Sequence, residues 1–256
     1  MLIFFLFLYG VVIGSFLNVL IYRLPLNILL LSPKRSFCPS CNHQISILEN
    51  IPIVSYIFLK GRCKNCKEAI SVVYPIVEFL SGLGIVGLYM KFGLNGEFFL
   101  LSFIFFTLIV LSFIDFRYKA VPDYILVVLF LFSILYIVLF QPSYFINMLL
   151  FVGGFSLLNF LLTFYIQNIK SKILKDDSLK DQIALGEGDI PVVAAIGAIL
   201  SIKLALLAIF LSAIFAMIPS IFNIVVKKDI QTPFIPFLSL GLYVSLIFGD
   251  MIYEII

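Results

Sequence analysis

The sequence predicts an all-α polytopic membrane protein with about eight transmembrane helices and one small cytoplasmic loop domain. Three observations carry this. Of 256 residues, 62% are hydrophobic and only 12% charged, with a mean hydropathy of +1.18, whereas a soluble domain carries about a quarter charged residues. Apolar runs approaching the roughly 20 residues needed to cross a bilayer recur from end to end. The basic residues, finally, gather in alternate connections between those runs.

The predicted spans are 2–22, 73–90, 98–114, 124–140, 145–166, 190–202, 204–226 and 234–249. The sixth is short, and only Ser201-Ile202-Lys203 separates it from the seventh. No basic stretch precedes the first run and it holds no small-residue cleavage site, so it reads as a retained span rather than a removed signal. Domain limits follow as a first helix (1–22), a loop domain (23–72) and a membrane core (73–256). Connections on the other face are short, at Lys91–Glu97, Gln141–Tyr144 and Ser201–Lys203. The 167–189 connection mixes Lys with Asp176, Asp177 and Asp181 and reads as a solvated, mobile connector. Internal repeats are not evident.

Orientation comes from charge. Fifteen of the seventeen Lys and Arg residues fall in 23–72, 115–123, 167–189 and 227–233, leaving Lys91 and Lys203 on the opposite side. The positive-inside rule therefore puts both termini outside and those four segments in the cytoplasm. A net charge of +3 is too small to argue for nucleic acid. Trp is absent, so Tyr and Phe must supply any interfacial belt, and the 29 Phe residues read as bilayer surface and helix packing.

Within the loop domain, Cys38-Pro39-Ser40-Cys41 and Cys63-Lys64-Asn65-Cys66 form two CxxC pairs with 21 residues between them. Two such pairs close a tetrahedral four-thiolate site, the usual structural zinc geometry, with no position left for water. Two disulfides are the alternative, and they require an oxidising compartment that the predicted topology does not supply. His43, the single histidine, is assigned no role. Its solitude limits any His-dependent triad to one residue.

Two aspartates stand at the edges of apolar runs. Asp115 ends the run from Leu100 to Ile114, and Asp189 closes Gly186-Glu187-Gly188-Asp189 ahead of another. Acids in such places are costly and form a functional-site hypothesis by default. Two carboxyls converging on one water suffice for peptide hydrolysis without a nucleophilic side chain. Each has a structural alternative: Asp115 as an acid snorkelling to Arg117 or Lys119, and Asp189 as a helix N-cap before Pro191. Asp123, after Pro122, is expected to be the N-cap of the fourth span. Glycines 186 and 188 are expected to allow close backbone approach and unusual dihedrals. Asn18 and Glu78 are polar residues within spans, open to a functional role or to interhelical bonding.

These motifs resemble, nearly end to end, those of type IV prepilin peptidases. The resemblance runs through Gly14-Ser15-Phe16-Leu17-Asn18-Val19, Arg23-Leu24-Pro25 and the two CxxC pairs. It continues in Asn50-Ile51-Pro52, Tyr74-Pro75-Ile76-Val77-Glu78, the Asp115 and GxGD segments, and Pro233-Phe234-Ile235-Pro236-Phe237. It implies cleavage of a short basic leader from pilin or pseudopilin precursors at the cytoplasmic face of the inner membrane. It further implies N-methylation from S-adenosylmethionine, and Asp115 and Asp189 as the catalytic pair. One departure stands out: Pro191 occupies the place where the family commonly has Lys. Rival readings are a GxGD protease for another substrate, an ion-coupled transporter using the two aspartates, and a scaffold docking through its zinc loop.

Overall fold

The computed structural model describes residues 1–29, 36–38, 40–174, 177–222 and 232–255. The expected basic residues Lys34, Arg35, Lys175, Lys227 and Lys228, Asp176, and the end of the predicted seventh span all lie outside them. Among the described residues seven helices are long and apolar enough to cross a bilayer, and an eighth apolar helix, Asp189–Ile199, has only eleven residues. The chain is a multi-pass membrane protein. It divides into two compact units, Met1–Ile114 and Asp115–Ile256.

The first unit is organised by α1 (Leu2–Arg23) and α3 (Val73–Phe92), with the short α2 (Val54–Phe58) between them in sequence. Glycines let the backbones of α1 and α3 meet. A Cβ on Gly10 would stand 2.6 Å from the Ser81 carbonyl oxygen, and one on Gly14 would stand 2.7 Å from the Glu78 Cα. This Gly-xxx-Gly approach is how helices associate where lipid is as apolar as the side chains. Asn18 Nδ2 donates to the Tyr74 carbonyl at 3.1 Å. Gly93, at φ 70°, ends α3 in the left-handed conformation that suits glycine, and Asn95 Oδ1 caps α4 (Gly96–Tyr118) by accepting the Phe98 N–H at 2.8 Å.

The second unit begins in the last turn of α4 and continues with α5 (Asp123–Phe140), α6 (Tyr144–Phe164), the one-turn α7 (Ser171–Leu174), α8 (Asp189–Ile199), α9 (Ile202–Phe222) and α10 (Ile235–Ile255). Its centre is α8, packed by α5, α6, α9 and α10, with every residue from Val192 to Ile199 buried. Eleven residues rise only about 16 Å, so α8 is not a full span. Its small residues admit the neighbours closely: a Cβ on Gly197 would stand 2.9 Å from the Met148 Cα. Ile137, Met148, Ala194 and Ala198 form a core cluster there. The break before α9 falls at Leu200, whose backbone is extended, next to the predicted boundary.

Two local expectations change. Residues 167–189 are not a simple connector: α6 runs on through a wider-wound turn, Tyr165–Lys170, into α7, and a 3-10 turn follows at Asp177–Asp181. Asp123 is not an N-cap. Pro122 holds that position with extended backbone, and Asp123 is the first helical residue, where its charge still favours the positive end of the helix dipole.

The glycine contacts make a direct prediction. Gly14→Val forces α1 away from α3 and is expected to cost about 1–3 kcal/mol, read as a lower thermal unfolding midpoint in detergent. Gly153→Ala, in open space on α6, is the control and is expected not to lower that midpoint.

Candidate active site and metal centre

The four cysteines come together. Their Sγ atoms all lie within 4.8 Å of one another, with Cys38 3.8 Å from Cys66 and Cys41 4.0 Å from Cys63. The thiols are free, not paired as disulfides. A tetrahedron with metal–sulfur bonds of about 2.3 Å has S···S edges of roughly 3.8 Å, so the arrangement fits a four-thiolate ion.

The local chain explains the convergence. Each CxxC turn is closed by the same bonds, displaced by twenty-five residues. Cys38 N–H donates to His43 O as Cys63 N–H does to Glu68 O, and Ile45 N–H donates to Ser36 O as Ile70 N–H does to Gly61 O. Asn42 (φ 55°) and Lys67 (φ 62°) turn the chain at equivalent points, and the bridges Phe37–Gln44 and Arg62–Ala69 close it. The repeat lies in the backbone. It was missed in the sequence because little but Cys-x-x-Cys is shared between the two halves.

Peptide N–H groups aimed at sulfur stabilise thiolates. The His43 N–H, the largest influence, brings the Cys41 thiol down to about 7, and the Cys66 and Asn65 amides lower Cys63. His43 also acquires a structural place. Its Nε2 lies 3.3 Å from Glu49, which bonds Lys64 of the other turn at 3.1 Å. The Ser46 N–H first, then Lys64, hold the Glu49 carboxyl down to about 2. Glu78, buried in α3, accepts the Ile53 N–H at 2.7 Å and a bond from Ser15. These bonds tie the metal module to the helix pair.

The second unit brings the two aspartates into one buried setting. Asp115 is 8% exposed and Asp189 5%, and Asp189 lies within reach of the Asp115 charge. Asp115 does not simply snorkel. Its Oδ2 accepts the Ile235 N–H at 3.2 Å, the Phe234 N–H also points to it, and Arg117 lies instead over the Tyr118 ring at 5.3 Å. These donors are the unpaired amides that open α10, a natural seat for a carboxylate. Lys119, at φ 52°, turns the chain out of α4 immediately after Asp115.

Asp189 is the first residue of α8, not its N-cap, and Pro191 sits two residues further on. A proline there removes only an amide that the helix start would leave unbonded anyway. The flanking glycines act sterically. Gly188 has an ordinary φ of −66°, and a Cβ on it would stand 2.9 Å from Val121 Cγ2. Gly186 is freer, its virtual Cβ 3.4 Å from Asp189 Oδ2, and its amide bonds the Asp189 carboxyl. Neither glycine has a positive φ.

Three further residues hold the segment leading to Asp189. Asn159 Oδ1 accepts the Leu185 N–H and Thr163 Oγ1 the Ala184 N–H, both at 3.1 Å, while Gln167 Nε2 donates to the Gln182 carbonyl at 3.2 Å. They recur every fourth residue on one stripe that runs from α6 into the wider-wound turn extending it. That spacing was the available signal, and it passed unread in so apolar a helix.

Comparison with known proteins matches residues 8–92 to the bacterial peptidase A24 N-terminal domain and residues 102–221 to the type IV leader peptidase family. Proteins named prepilin leader peptidase/N-methyltransferase are similar over nearly the whole chain. That of Aeromonas salmonicida is 30% identical, covering 96% of this chain and 90% of its own. That of Vibrio cholerae is 31% identical over 82% and 81%, and that of Bacillus subtilis 28% over 96% and 94%. No solved structure matches.

If the α6 stripe fixes the approach to Asp189, Asn159→Leu with Thr163→Val should speed hydrogen exchange at the Ala184 and Leu185 amides at least tenfold, the loss of about 1.4 kcal/mol of protection. Gly188→Ala should reduce turnover by crowding Val121, and Val121→Ala should restore part of it, measured as cleavage rates of the single and double variants.

Proposed function

The chain belongs to the type IV leader peptidase family, and on that premise we propose that Asp115 and Asp189 are the pair that cuts the leader peptide from prepilins. The protein is a prepilin leader peptidase and N-methyltransferase. The observation that supports the catalytic assignment is the burial of these two carboxyls in an apolar unit, with Asp189 within reach of the Asp115 charge.

The chemistry follows from that proximity. Two neighbouring carboxyls in a desolvated site share one proton rather than ionise together. The charged member takes a proton from water as the oxygen attacks the scissile carbonyl. The neutral member hydrogen-bonds the carbonyl oxygen, and the roles exchange as a proton passes to the leaving amine. The amides at the start of α10 suit the anion, which favours Asp115 as the base and Asp189 as the acid. The transporter and scaffold readings have no comparable support, and a related protease for another substrate is disfavoured by the relatives' names.

The four cysteines fit zinc, which would fill their tetrahedron and brace the module. Bound there it would have no open position, so it supplies no catalytic step. S-adenosylmethionine brings a methyl group activated by a sulfonium cation. The cavity beside the metal module, about 480 Å³, is edged by Lys60, Arg62, Lys64 and Lys67. A rim of four cations opposes a sulfonium, so this cavity is not assigned to the donor and no methylation step is derived from it. By charge, the basic connections face the cytoplasm and the termini the opposite side of the inner membrane. The precursor's basic leader then remains in the cytoplasm while its apolar helix lies in the bilayer.

Incubation with a prepilin, followed by mass measurement of the product N-terminus, tests both activities at once. Asp115→Asn and Asp189→Asn are each expected to reduce leader cleavage at least a hundredfold, about 2.7 kcal/mol of transition-state stabilisation, with insertion unchanged. Full processing by either variant removes that residue from the mechanism. Cys38→Ser with Cys63→Ser should release the bound metal, read by elemental analysis, and lower the unfolding midpoint.

A further inference from the structure

The metal module carries a surface that neither its fold nor the proposed reaction uses. Around the cavity, Lys64 is bonded to Glu49, whereas Lys60, Arg62 and Lys67 are exposed and enter no ion pair among the described residues. Phe58, which also lines the cavity, is 83% exposed, and Ile57 beside it on α2 is 67% exposed. An exposed aromatic beside three solvated cations offers a lipid both an apolar contact and a phosphate site.

The level of this surface in the first unit is set by Glu78. Ile53, immediately before α2, gives its N–H to that carboxyl, five residues into α3. Five helical residues rise about 7.5 Å, so the chain entering α2 lies beside the second turn of a membrane helix. Interfacial helices bury their apolar side about 5–10 Å into the boundary between headgroups and acyl chains.

We propose that α2 and the basic cavity form a docking surface for anionic phospholipid, in the leaflet where α1 ends and α3 begins. Lys60, Arg62 and Lys67 receive the headgroup phosphate while Ile57 and Phe58 enter the acyl region. Charge complementarity selects the occupant. The cations repel the basic leader of a precursor, and a soluble anion would leave the apolar pair in water.

The chain has no Trp, so Phe58→Trp in the full-length protein supplies a single fluorescent reporter. Nanodiscs of phosphatidylcholine and phosphatidylglycerol are prepared with bromine on the acyl chains of one lipid or the other. Brominated phosphatidylglycerol is expected to quench the reporter at least twofold more than brominated phosphatidylcholine at equal mole fraction. High salt, and the added changes Lys60→Glu, Arg62→Glu and Lys67→Glu, are expected to remove the preference. Equal quenching by the two lipids overturns the proposal, as does quenching by neither, which places protein or water over Phe58. A preference abolished by inorganic phosphate but not by chloride at equal ionic strength assigns the cavity to a soluble anion, and overturns it too.

Discussion

A carboxyl group in an apolar interior needs donors, and the start of α10 supplies them to Asp115. The residues that open α10 have amides with no partner inside the helix, so the end of one helix and the acid at the end of another satisfy each other. This junction fixes the end of α4 against α10. With Asp189 at the start of α8, it brings two acids into one buried setting. The same donors make the burial of Asp115 tolerable.

The irregular backbone before Asp189 obeys the same constraint. Buried non-helical peptide groups persist where protein satisfies them. Asn159, Thr163 and Gln167 do this for residues 182–185, and a steric fit of Gly188 against Val121 brings the turn close to the start of α5.

The metal module solves a different problem. A segment of fifty residues has little apolar area for an independent core, so cross-links take its place. Four cysteine sulfurs placed to hold one ion, the Glu49 bonds to both turns and the Glu78 bond to Ile53 are those links. The module's larger apolar side chains are left on its outside, which is why its surface is available to lipid.

The membrane class, the position of most helices, the two CxxC pairs and the two acids were legible in the sequence. Hydropathy, thiol spacing and charge against an apolar background are local signals, present wherever the residues lie along the chain. The short length of α8 was visible in the same way. Other features were not. The donors to Asp115 are peptide groups of Phe234 and Ile235, whose side chains carry no mark of the role, and Val121 explains Gly188 only once α5 and α8 approach each other. Sequence determined which groups are costly to bury; the fold decided which partners meet them, because a hydrogen bond between residues 120 positions apart exists only when helix packing brings the two together.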